Sequence, residues 1–582
     1  MISKWNYLPL TTEEQELEIA LAKKFANSPA IAELLVQRGI TTVEQAEHFF
    51  NPSLSDLHDP FLMQDMDKAV DRLNRAMGSK EKILVYGDYD VDVTTAVALV
   101  YKYLRNYYSH VEYYIPTRDE EGYGISIKSI DHAVEMGIKL IIVLDCGIKA
   151  IDEIAYAGRH GIDFIICDHH VPDAILPDAC AILNPKLEGN TYPYPHLSGC
   201  GVGFKFMQAF AQSNGLDGRH DLYNLLDLVA VSIAADIVPM TGENRVMTHF
   251  GLKRLNTNPN TGLKGIIKIC GLNNREITIS DVIFKIGPRI NASGRMQSGM
   301  EAVELLTAKD FADAYAKSKN IDQYNRDRKE LDKRITEEAN KILEERGDVD
   351  SSNKTIVIYN KNWHKGIIGI VASRLTELYY KPAVVLTLSN GLATGSSRSV
   401  QGYDIYQAIE ATRDLLENFG GHTYAVGLSM KEENIAEFTR RFEDYVAKTI
   451  TPNQLTPQID IDTYMKFEEI TPEFLACLHK FTPFGPGNQK PIFCTRNVMD
   501  FGTSKLVGKN LEHIKLELVD NSSGTVINGI AFNMKQYFDY IKSGKAFDIC
   551  YTIEENKHPN NTSQYQLFVK EIRTDSKPHQ DV

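Results

Sequence analysis

The chain has 582 residues, too many for one compact core, and typical domain sizes predict roughly three or four domains. With 43% hydrophobic and 24% charged residues it has the composition of a globular protein, and no apolar run approaches the roughly 18 residues of a membrane helix. The first residues lack a secretory signal pattern and the eight cysteines form no Cys-x-x-Cys pair, which predicts a cytoplasmic protein with reduced cysteines. The net charge of −14 does not exclude nucleic acid as a partner, because phosphate binding depends on local charge.

The first predicted element is a helical segment over residues 1–75, with amphipathic stretches such as Glu13–Phe25. From residue 76 to about residue 300, apolar runs alternate with helical stretches. The runs at Ile83–Tyr86, Leu140–Leu144 and Phe164–Cys167 show no polar alternation, which is typical of parallel strands buried on both faces. We therefore predict an α/β domain with an open parallel sheet.

Three further regions follow this domain. Residues 301–350 are charged and helical, which predicts a long connecting helix, and residues 351–452 repeat the strand–helix alternation of a second α/β domain. Residues 453–573 contain short strand-like runs, which are typical of a small β-barrel or sandwich. Residues 574–582 are predicted to be a disordered tail.

Acidic side chains follow the predicted strands of the first domain where those strands end. Asp88, Asp90 and Asp92 occupy alternate positions after the first strand, so in an extended segment their carboxylates share a face and repel one another unless a cation is bound. Asp145 and Asp168 each follow one of the later strands. Because open parallel sheets bind ligands at the carboxyl ends of their strands, we expect these groups to converge there.

Two histidines and one more carboxylate complete this set. His169 and His170 come directly after Asp168, and Asp236 lies just beyond the apolar stretch Leu225–Ala234. Oxygen ligands combined with one imidazole suit Mn²⁺ or Mg²⁺, and no thiolate is placed to select zinc. Several carboxylates at one edge are enough for two ions, which favours a metal-dependent phosphoesterase.

Each motif also has another interpretation. Asp90-Val-Asp92-Val-Thr94 fits the Asp-x-Asp-x-Thr nucleophile motif of haloacid-dehalogenase-type phosphatases, in which Asp90 would be phosphorylated. An isolated Asp-x-Asp-x-Asp run is most often a turn or a helix cap, and a His-His pair is more often structural than catalytic. The combination of four acidic or histidine clusters, three of them at strand ends, favours the phosphoesterase.

In this combination of motifs the chain resembles the DHH phosphoesterase superfamily, and within it the RecJ family of single-strand-specific exonucleases. Asp168-His169-His170 matches the motif that names the superfamily, and Asp88–Asp92 matches its first motif. Further matching motifs are Arg118–Gly124, Gly287–Arg295, Trp363–Gly369, Gly395–Ser399, Gly420–His422 and Pro483–Asn488. The match covers most of the chain.

The resemblance implies a DHH domain at 76–300, a DHHA1 domain at 351–452 and an OB-like barrel at 453–573. It implies two Mn²⁺ or Mg²⁺ ions, held by Asp90, Asp92, Asp145, His169 and Asp236. Asp88 and Asp168 would support these ligands, and His170 would meet the scissile phosphate. Substrate-binding roles, including contacts to the 5′ phosphate, are implied for Arg118, Arg289, Asn291, Arg295, Ser396, Arg398 and His422.

The implied activity is 5′→3′ exonucleolytic hydrolysis of single-stranded DNA to 5′-mononucleotides, in DNA repair and recombination. The resemblance further implies a monomer, with a single-strand-binding protein and a RecQ-type helicase as partners and no membrane. Lys505, Lys509 and Lys515 are candidates for a basic groove on the barrel. The alternative is a DHH/DHHA1 phosphodiesterase for short oligoribonucleotides or cyclic dinucleotides, against which the C-terminal β domain argues. A non-catalytic binding subunit is a third hypothesis, against which the complete ligand set argues.

One residue departs from the family pattern, because Val93 stands where the family usually has glycine after the third aspartate. Glycine at such a position usually serves a positive φ or a close backbone approach, and a β-branched residue does either poorly. We therefore predict that Val93 keeps a negative φ.

Overall fold

The computed structural model describes residues 3–117, 121–122, 124–216, 221–348, 352–555 and 565–574. They form two compact units, one made of Leu54–Pro457 and the other of Ser3–Ser53 together with the chain from Gln458 onwards. The predicted contact Arg118 lies outside the described residues, and so does the predicted tail 574–582 apart from residue 574. Within the described part of the chain, no helix has both the length and the apolarity needed to cross a bilayer. The cysteines are all free thiols, as the sequence predicts.

The principal elements are numbered in chain order. The helices are α1 (Thr12–Ala22), α2 (Pro29–Val36), α3 (Val43–Phe50), α4 (Met66–Gly78), α5 (Val91–Arg105), α6 (Ile127–Glu135), α7 (Ile151–Arg159), α8 (Gly199–Ser213), α9 (Leu226–Asp236), α10 (Gly242–Thr257), α11 (Thr261–Ile269), α12 (Gly287–Met296), α13 (Gly299–Leu306), α14 (Phe311–Arg346), α15 (Ile368–Tyr379), α16 (Ile405–Glu410), α17 (Ile435–Thr449), α18 (Pro472–His479) and α19 (Phe538–Lys542). The strands are β1 (Lys4–Tyr7), β2 (Lys82–Gly87), β3 (Val111–Tyr114), β4 (Ile138–Leu144), β5 (Asp163–Cys167), β6 (Ala181–Leu183), β7 (Ile356–Tyr359), β8 (Ala383–Ser389), β9 (Leu392–Arg398), β10 (Leu416–His422), β11 (Ala425–Met430), β12 (Gln458–Ile461), β13 (Thr463–Tyr464), β14 (Phe493–Asp500), β15 (Lys505–Val507), β16 (His513–Asp520), β17 (Val526–Ala531), β18 (Phe547–Glu555) and β19 (Tyr565–Arg573).

The first sheet of the larger unit is parallel, with the order β3-β2-β4-β5-β6. Its two faces pack into separate hydrophobic clusters, one containing Leu140 and Ile142 and the other containing Ile141 and Val143. Burial on both faces explains why β4 shows no polar alternation in the sequence. The predicted α/β domain with a parallel sheet is confirmed.

The second sheet of this unit is mixed, with the order β10-β11-β9-β8-β7. Only β7 and β8 are parallel, and β8, β9, β11 and β10 follow one another as antiparallel neighbours. Two of the matched motifs, Gly395–Ser399 and Gly420–His422, fall in this sheet, although the first has residue types that are typical of a flexible loop. Residues 395–398 lie in β9 and residues 420–422 in β10, where antiparallel pairing on both sides of β9 imposes an extended backbone that small polar residues do not signal.

The connecting segment predicted at 301–350 is not one helix. It contains the end of α13 and the whole of α14. α13 ends at Leu306, and α14 starts anew after Asp310, whose side chain accepts a hydrogen bond from the Asp313 backbone N–H. Such an N-cap satisfies a donor that the helix itself leaves unpaired. The 36 residues of α14 form the long helix that the sequence predicts.

The smaller unit contains a closed barrel. Its strands run β14-β18-β19-β17-β16, and pairing of β14 with β16 closes the ring. The predicted C-terminal OB-like barrel is therefore confirmed. The N-terminal segment is not purely helical as predicted, because Lys4–Tyr7 forms β1, which pairs in parallel with β12. The domain boundaries remain predictions.

Candidate metal centre

The sheet register brings the strand-end aspartates to one edge. Gly87 pairs with Leu144, and Leu144 pairs with Cys167. Asp88, Asp145 and Asp168 directly follow these three residues, so the three aspartates lie side by side where β2, β4 and β5 end. This edge is where ligands bind to open parallel sheets.

Asp90 and Asp92 reach the edge from a helix and not from an extended segment. β2 ends at Gly87, Asp90 is the N-cap of α5 with its Oδ1 accepting from the Val93 N–H at 3.0 Å, and Asp92 lies in the first helical turn. The predicted alternation on an extended face is therefore wrong. The Asp92 carboxylate is buried and accepts hydrogen bonds from the N–H groups of Gly199 at 2.7 Å and Cys200 at 2.8 Å. Those donors begin α8, whose N-terminus favours negative charge.

Asp145 occupies a strained position. Its φ is +56°, in the left-handed region that a non-glycine residue rarely adopts, and its N–H donates to the Cys167 carbonyl at 2.8 Å. Gly199 lies against it so closely that an added Cβ would be 2.4 Å from the Asp145 Cβ. Strain of this kind is concentrated at functional sites.

His169 carries the strongest indication of a cation. Its Nδ1 lies 2.9 Å from the Leu197 carbonyl, which can only accept, so Nδ1 bears a proton. Its Nε2 faces carboxylate oxygens of Asp145 at 3.0 Å, Asp236 at 3.5 Å and Asp92 at 3.9 Å. Burial lowers the pKa of His169, which favours the neutral ring with a lone pair on Nε2.

A lone pair directed at three carboxylates is repulsive unless a cation lies between them. The ligand atoms of Asp92, His169 and Asp236 lie within 4.8 Å of one another, and so do those of Asp145, His169 and His170. Carboxylates with one imidazole suit Mn²⁺ or Mg²⁺, and the hydrogen bond to Leu197 orients the ring as is usual for metal-bound histidine. The residues present therefore fit a divalent metal centre.

Asp90 belongs to neither group, although its charge acts on both. Burial, followed by the charge of Asp92, raises the pKa of Asp90 to about 6. Burial raises the pKa of Asp145 well above its usual range, and Asp92, Asp90 and Asp236 add to that effect. So much negative charge at one buried place calls for a compensating cation.

The carboxyl group of Asp236 yields a pH prediction. Burial and the charges of Asp92 and Asp90 raise its pKa from 3.8 to about 8. A carboxyl group whose pKa is higher in the folded state stabilises the fold while protonated, and this contribution is lost as the pH rises from the unfolded to the folded value. In EDTA, the unfolding midpoint of the wild type should therefore fall relative to that of Asp236→Asn between about pH 4 and pH 8. Thermal unfolding of both proteins over this range measures the difference, and a difference that does not change with pH would contradict the prediction.

Asp168 and His170 form a second arrangement beside the metal-binding groups. Asp168 Oδ1 accepts from the N–H groups of His169 and His170 and lies 2.8 Å from His170 Nδ1, while Oδ2 accepts from the Ile148 N–H at 3.1 Å. Burial opposes ionisation of Asp168, but the contacts with His170 outweigh it and lower the pKa of Asp168 to about 2. Burial also opposes the charge on His170, yet the hydrogen bond and charge of Asp168 raise the pKa of its imidazole. Asp168 thus holds His170 in place with one ring nitrogen fixed.

The second sheet contributes His422 to the same place. The His422 ring stacks on the His170 ring, with centroids 6.4 Å apart and an interplanar angle of 12°. A cavity of about 880 Å³ extends from Asp168 and His170 to Thr394, His422 and other residues of β8 to β11. The metal-binding edge therefore opens into a cleft between the two sheets, which is a usual place for a substrate.

The predicted phosphate contacts Ser396 and Arg398 lie on β9. Arg398 Nη1 donates to Ser396 Oγ at 3.0 Å and to the Ser397 carbonyl at 2.7 Å. Among the described residues no carboxylate pairs with this half-buried guanidinium, and burial lowers its pKa. Arg295 lies nearby and donates to the Gly366 carbonyl at 3.0 Å.

The other two predicted contacts, Arg289 and Asn291, lie on α12. Arg289 donates to Asp322 of α14 at 2.9 Å and to the Lys285 carbonyl at 2.8 Å, an arrangement that ties α12 to the connecting helix. Asn291 is a partly buried residue of the same helix. The geometry gives both a structural setting, and their substrate roles remain predictions.

Sequence reasoning missed three groups that support the centre. These are the Leu197 carbonyl, the N-terminus of α8 at Gly199, and Ser232, whose hydroxyl donates to Asp92 at 2.7 Å. Gly199, Gly201 and Gly203 lie in the first turns of α8. A glycine-rich helix start of this kind indicates close backbone approach or anion binding. This pattern could have pointed to the N-terminus of α8 from the sequence.

Val93 has the negative φ that we predicted, since it lies in the first turn of α5 and is not among the described residues with positive φ. An added Cβ at Gly87 would lie 2.2 Å from the Val93 Cγ1. The valine side chain therefore occupies space that the glycine at the end of β2 leaves open.

Comparison with known proteins identifies the three domains. Residues 82–233 match the DHH family, N-terminal domain, residues 352–448 match the DHHA1 domain, and residues 461–571 match the RecJ OB domain. The haloacid-dehalogenase interpretation of Asp90 is thereby excluded.

Full-length relatives extend this match to most of the chain. The chain is 35% identical to the single-stranded-DNA-specific exonuclease RecJ of Bacillus subtilis over 96% of this chain and 70% of that protein. It is 31% identical to the RecJ of Haemophilus influenzae over 95% of this chain and 98% of that protein. The fold resembles a crystal structure of RecJ in complex with Mn²⁺ from Thermus thermophilus, with a TM-score of 0.82 at 24% identity, covering 98% of this chain and 80% of that one. The chain therefore belongs to the RecJ family of DHH-domain proteins.

Proposed function

We propose that the chain is a divalent-metal-dependent exonuclease that degrades single-stranded DNA from the 5′ end and releases 5′-mononucleotides. The observation that carries the proposal is the position of His169 Nε2, which faces carboxylate oxygens of three aspartates at one end of a cleft in a chain of the RecJ family. Asp90, Asp92, Asp145, His169 and Asp236 would hold Mn²⁺ or Mg²⁺. Bound cations of this kind activate water at neutral pH and neutralise phosphoryl oxygens.

His170 acts on the scissile phosphate. Its Nδ1 is engaged by Asp168 at 2.8 Å, which leaves Nε2 for the substrate. Asp168 raises the pKa of His170, which favours the protonated ring, and from that ring Nε2–H can donate to a phosphoryl oxygen whose negative charge grows in the transition state. Asp168 acts through His170 as a positioning residue.

The position of Arg398 supports attack near a 5′ end. Ala425 pairs with Arg398 on one side and with His422 on the other, so two strand spacings, about 10 Å, separate the backbones of Arg398 and His422. This separation accommodates one nucleotide between a 5′ phosphate at Arg398 and a scissile phosphate near His170. A guanidinium beside a serine hydroxyl suits a terminal phosphate dianion.

The barrel supports a polymeric substrate over a short one. Lys505 of β15 and Lys515 of β16 are exposed and stand opposite each other, and Lys509 is exposed in the connecting loop. Like charges in directly opposite positions destabilise a sheet unless an anion is bound. The phosphodiesterase alternative for short oligoribonucleotides or cyclic dinucleotides gives the barrel no role. The two RecJ relatives named above match 96% and 95% of this chain, a share that includes most of the barrel.

The test uses long single-stranded DNA labelled at either the 5′ or the 3′ end, incubated in Mn²⁺, in Mg²⁺ and in EDTA. We expect immediate release of labelled mononucleotide from the 5′ label alone, and none in EDTA. Early release from the 3′ label would overturn the polarity. No release from long strands together with cleavage of dinucleotides would favour the phosphodiesterase alternative, and strand binding without any hydrolysis would favour a non-catalytic binding subunit.

Finer features remain predictions from the family resemblance. They are a monomeric state, a cytoplasmic location, a role in DNA repair and recombination, and partnership with a single-strand-binding protein and a RecQ-type helicase. Size measurement in solution and pull-down with purified candidates test the first and the last.

A further inference from the structure

Tyr424 is an exposed aromatic residue between two parts of the proposed substrate site. It is 51% exposed, and among the described residues none forms a hydrogen bond or a ring contact with its side chain. Thr423 and Tyr424 form the two-residue turn that joins β10 to β11. The turn follows His422, whose ring stacks on that of His170. It precedes Ala425, which pairs with Arg398.

The backbone of this turn is held from two sides. The Ser399 N–H donates to the Tyr424 carbonyl at 3.1 Å, and the Ile405 N–H donates to the Thr423 carbonyl at 3.0 Å. At Gly421 an added Cβ would lie 2.2 Å from the Ala425 carbonyl oxygen, so the two strands approach closely just before the turn. The exposed half of Tyr424 gains no burial energy on folding. It is, however, well placed to bind a flat ligand with little loss of conformational entropy.

We propose that Tyr424 is a stacking platform for a nucleobase of single-stranded DNA next to the scissile phosphate. The proposal rests on the proposed function and adds a base contact to a site otherwise made of groups that bind phosphate and metal. Aromatic rings stack on any base, because every base has a π-face, so this contact retains a strand without selecting its sequence. The turn directly follows His422 and directly precedes Ala425, the partner of Arg398, so its backbone is adjacent to both groups that the proposed function assigns to phosphates.

The test compares wild type, Tyr424→Ala and Tyr424→Phe on 5′-phosphorylated single strands. One strand carries normal bases, and a matched strand carries abasic nucleotides at its first few 5′ positions. On normal DNA we expect the KM of Tyr424→Ala to rise about tenfold with a smaller change in kcat, and that of Tyr424→Phe to stay within about twofold of wild type. On the abasic strand, all three proteins should have the same KM, since no base is present to stack.

Several outcomes would overturn the proposal. An unchanged KM for Tyr424→Ala on normal DNA would do so, and so would a loss of the same size on abasic DNA, which would indicate a structural or protein-contact role. The thermal unfolding midpoint of Tyr424→Phe should equal that of wild type, and that of Tyr424→Ala should change little because about half of the residue is exposed. If the wild type releases no nucleotide, the proposed function fails, and equilibrium binding of the same two strands in EDTA still decides the role of Tyr424.

Discussion

Asp145→Asn is expected to lower kcat on single-stranded DNA by on the order of a thousandfold or more, in Mn²⁺ as in Mg²⁺. The substitution keeps the shape of the side chain and removes the charge of the carboxylate nearest to His169, whose Nε2 lies 3.0 Å from Asp145 Oδ1. An amide is a poor ligand for a small hard cation compared with a carboxylate. Initial rates of 5′-mononucleotide release at saturating metal and DNA measure the effect.

The same substitution should have the opposite effect on stability when no metal is present. Burial and the charges of Asp92, Asp90 and Asp236 raise the pKa of Asp145, so its ionised form destabilises the metal-free fold. In EDTA at neutral pH, Asp145→Asn should therefore unfold at a temperature equal to or higher than that of wild type, while the increase that Mn²⁺ gives to the wild type should be largely lost. A variant that is inactive and also less stable in EDTA would indicate misfolding instead of metal loss.

Asp152→Asn is the matched control. Asp152 is an exposed residue in the first turn of α7 in the same domain, and it belongs to neither group of side chains that could hold a metal ion. We expect its activity and its response to Mn²⁺ to equal those of wild type. Activity of Asp145→Asn within about tenfold of this control would contradict the assignment of Asp145 as a metal ligand.

The part of the site that the sequence predicts is the part governed by local rules. Asp145 and Asp168 follow unbroken apolar runs, and parallel strands place the residues after such runs at a common edge. The same rule is less successful for Asp90 and Asp92, because a strand end and a helix start cannot be distinguished over three or four residues. The helix begins at Val91, where Asp90 can cap it, and this signal competes directly with the alternating pattern of aspartates.

The parts that the sequence does not predict depend on contacts between distant residues. β1 pairs with β12 more than four hundred residues later, and nothing within Lys4–Tyr7 specifies that partner. β9 contains mainly small polar residues and is extended because β8 and β11 pair with it on both sides. The tautomer of His169 is fixed by a backbone carbonyl at Leu197, which no side-chain motif encodes.

The close contact between Gly199 and Asp145 also joins residues of distant elements, and it leads to a second prediction with a large effect. Gly199→Ala should lower kcat about a hundredfold and raise the Mn²⁺ concentration needed for half-maximal activity. An added Cβ would lie 2.4 Å from the Asp145 Cβ and 2.5 Å from its Oδ1, closer than real atoms approach. Asp145 cannot easily yield, since its N–H is bonded to the Cys167 carbonyl, so either the carboxylate or the start of α8 must shift. A displacement of about 1 Å in a catalytic group is enough for a loss of this size.

The direction of this effect separates the close contact from helix propensity. Alanine is a better helix former than glycine by about 1 kcal/mol, so on propensity alone Gly199→Ala would stabilise α8. Gly158→Ala in α7 is the matched control, because an added Cβ there meets no atom within 4 Å. We expect the control to keep wild-type kcat and Mn²⁺ dependence. If Gly199→Ala behaves like Gly158→Ala in an Mn²⁺ titration of activity, Asp145 tolerates displacement, and the tight fit between α8 and the end of β4 does not position the metal centre.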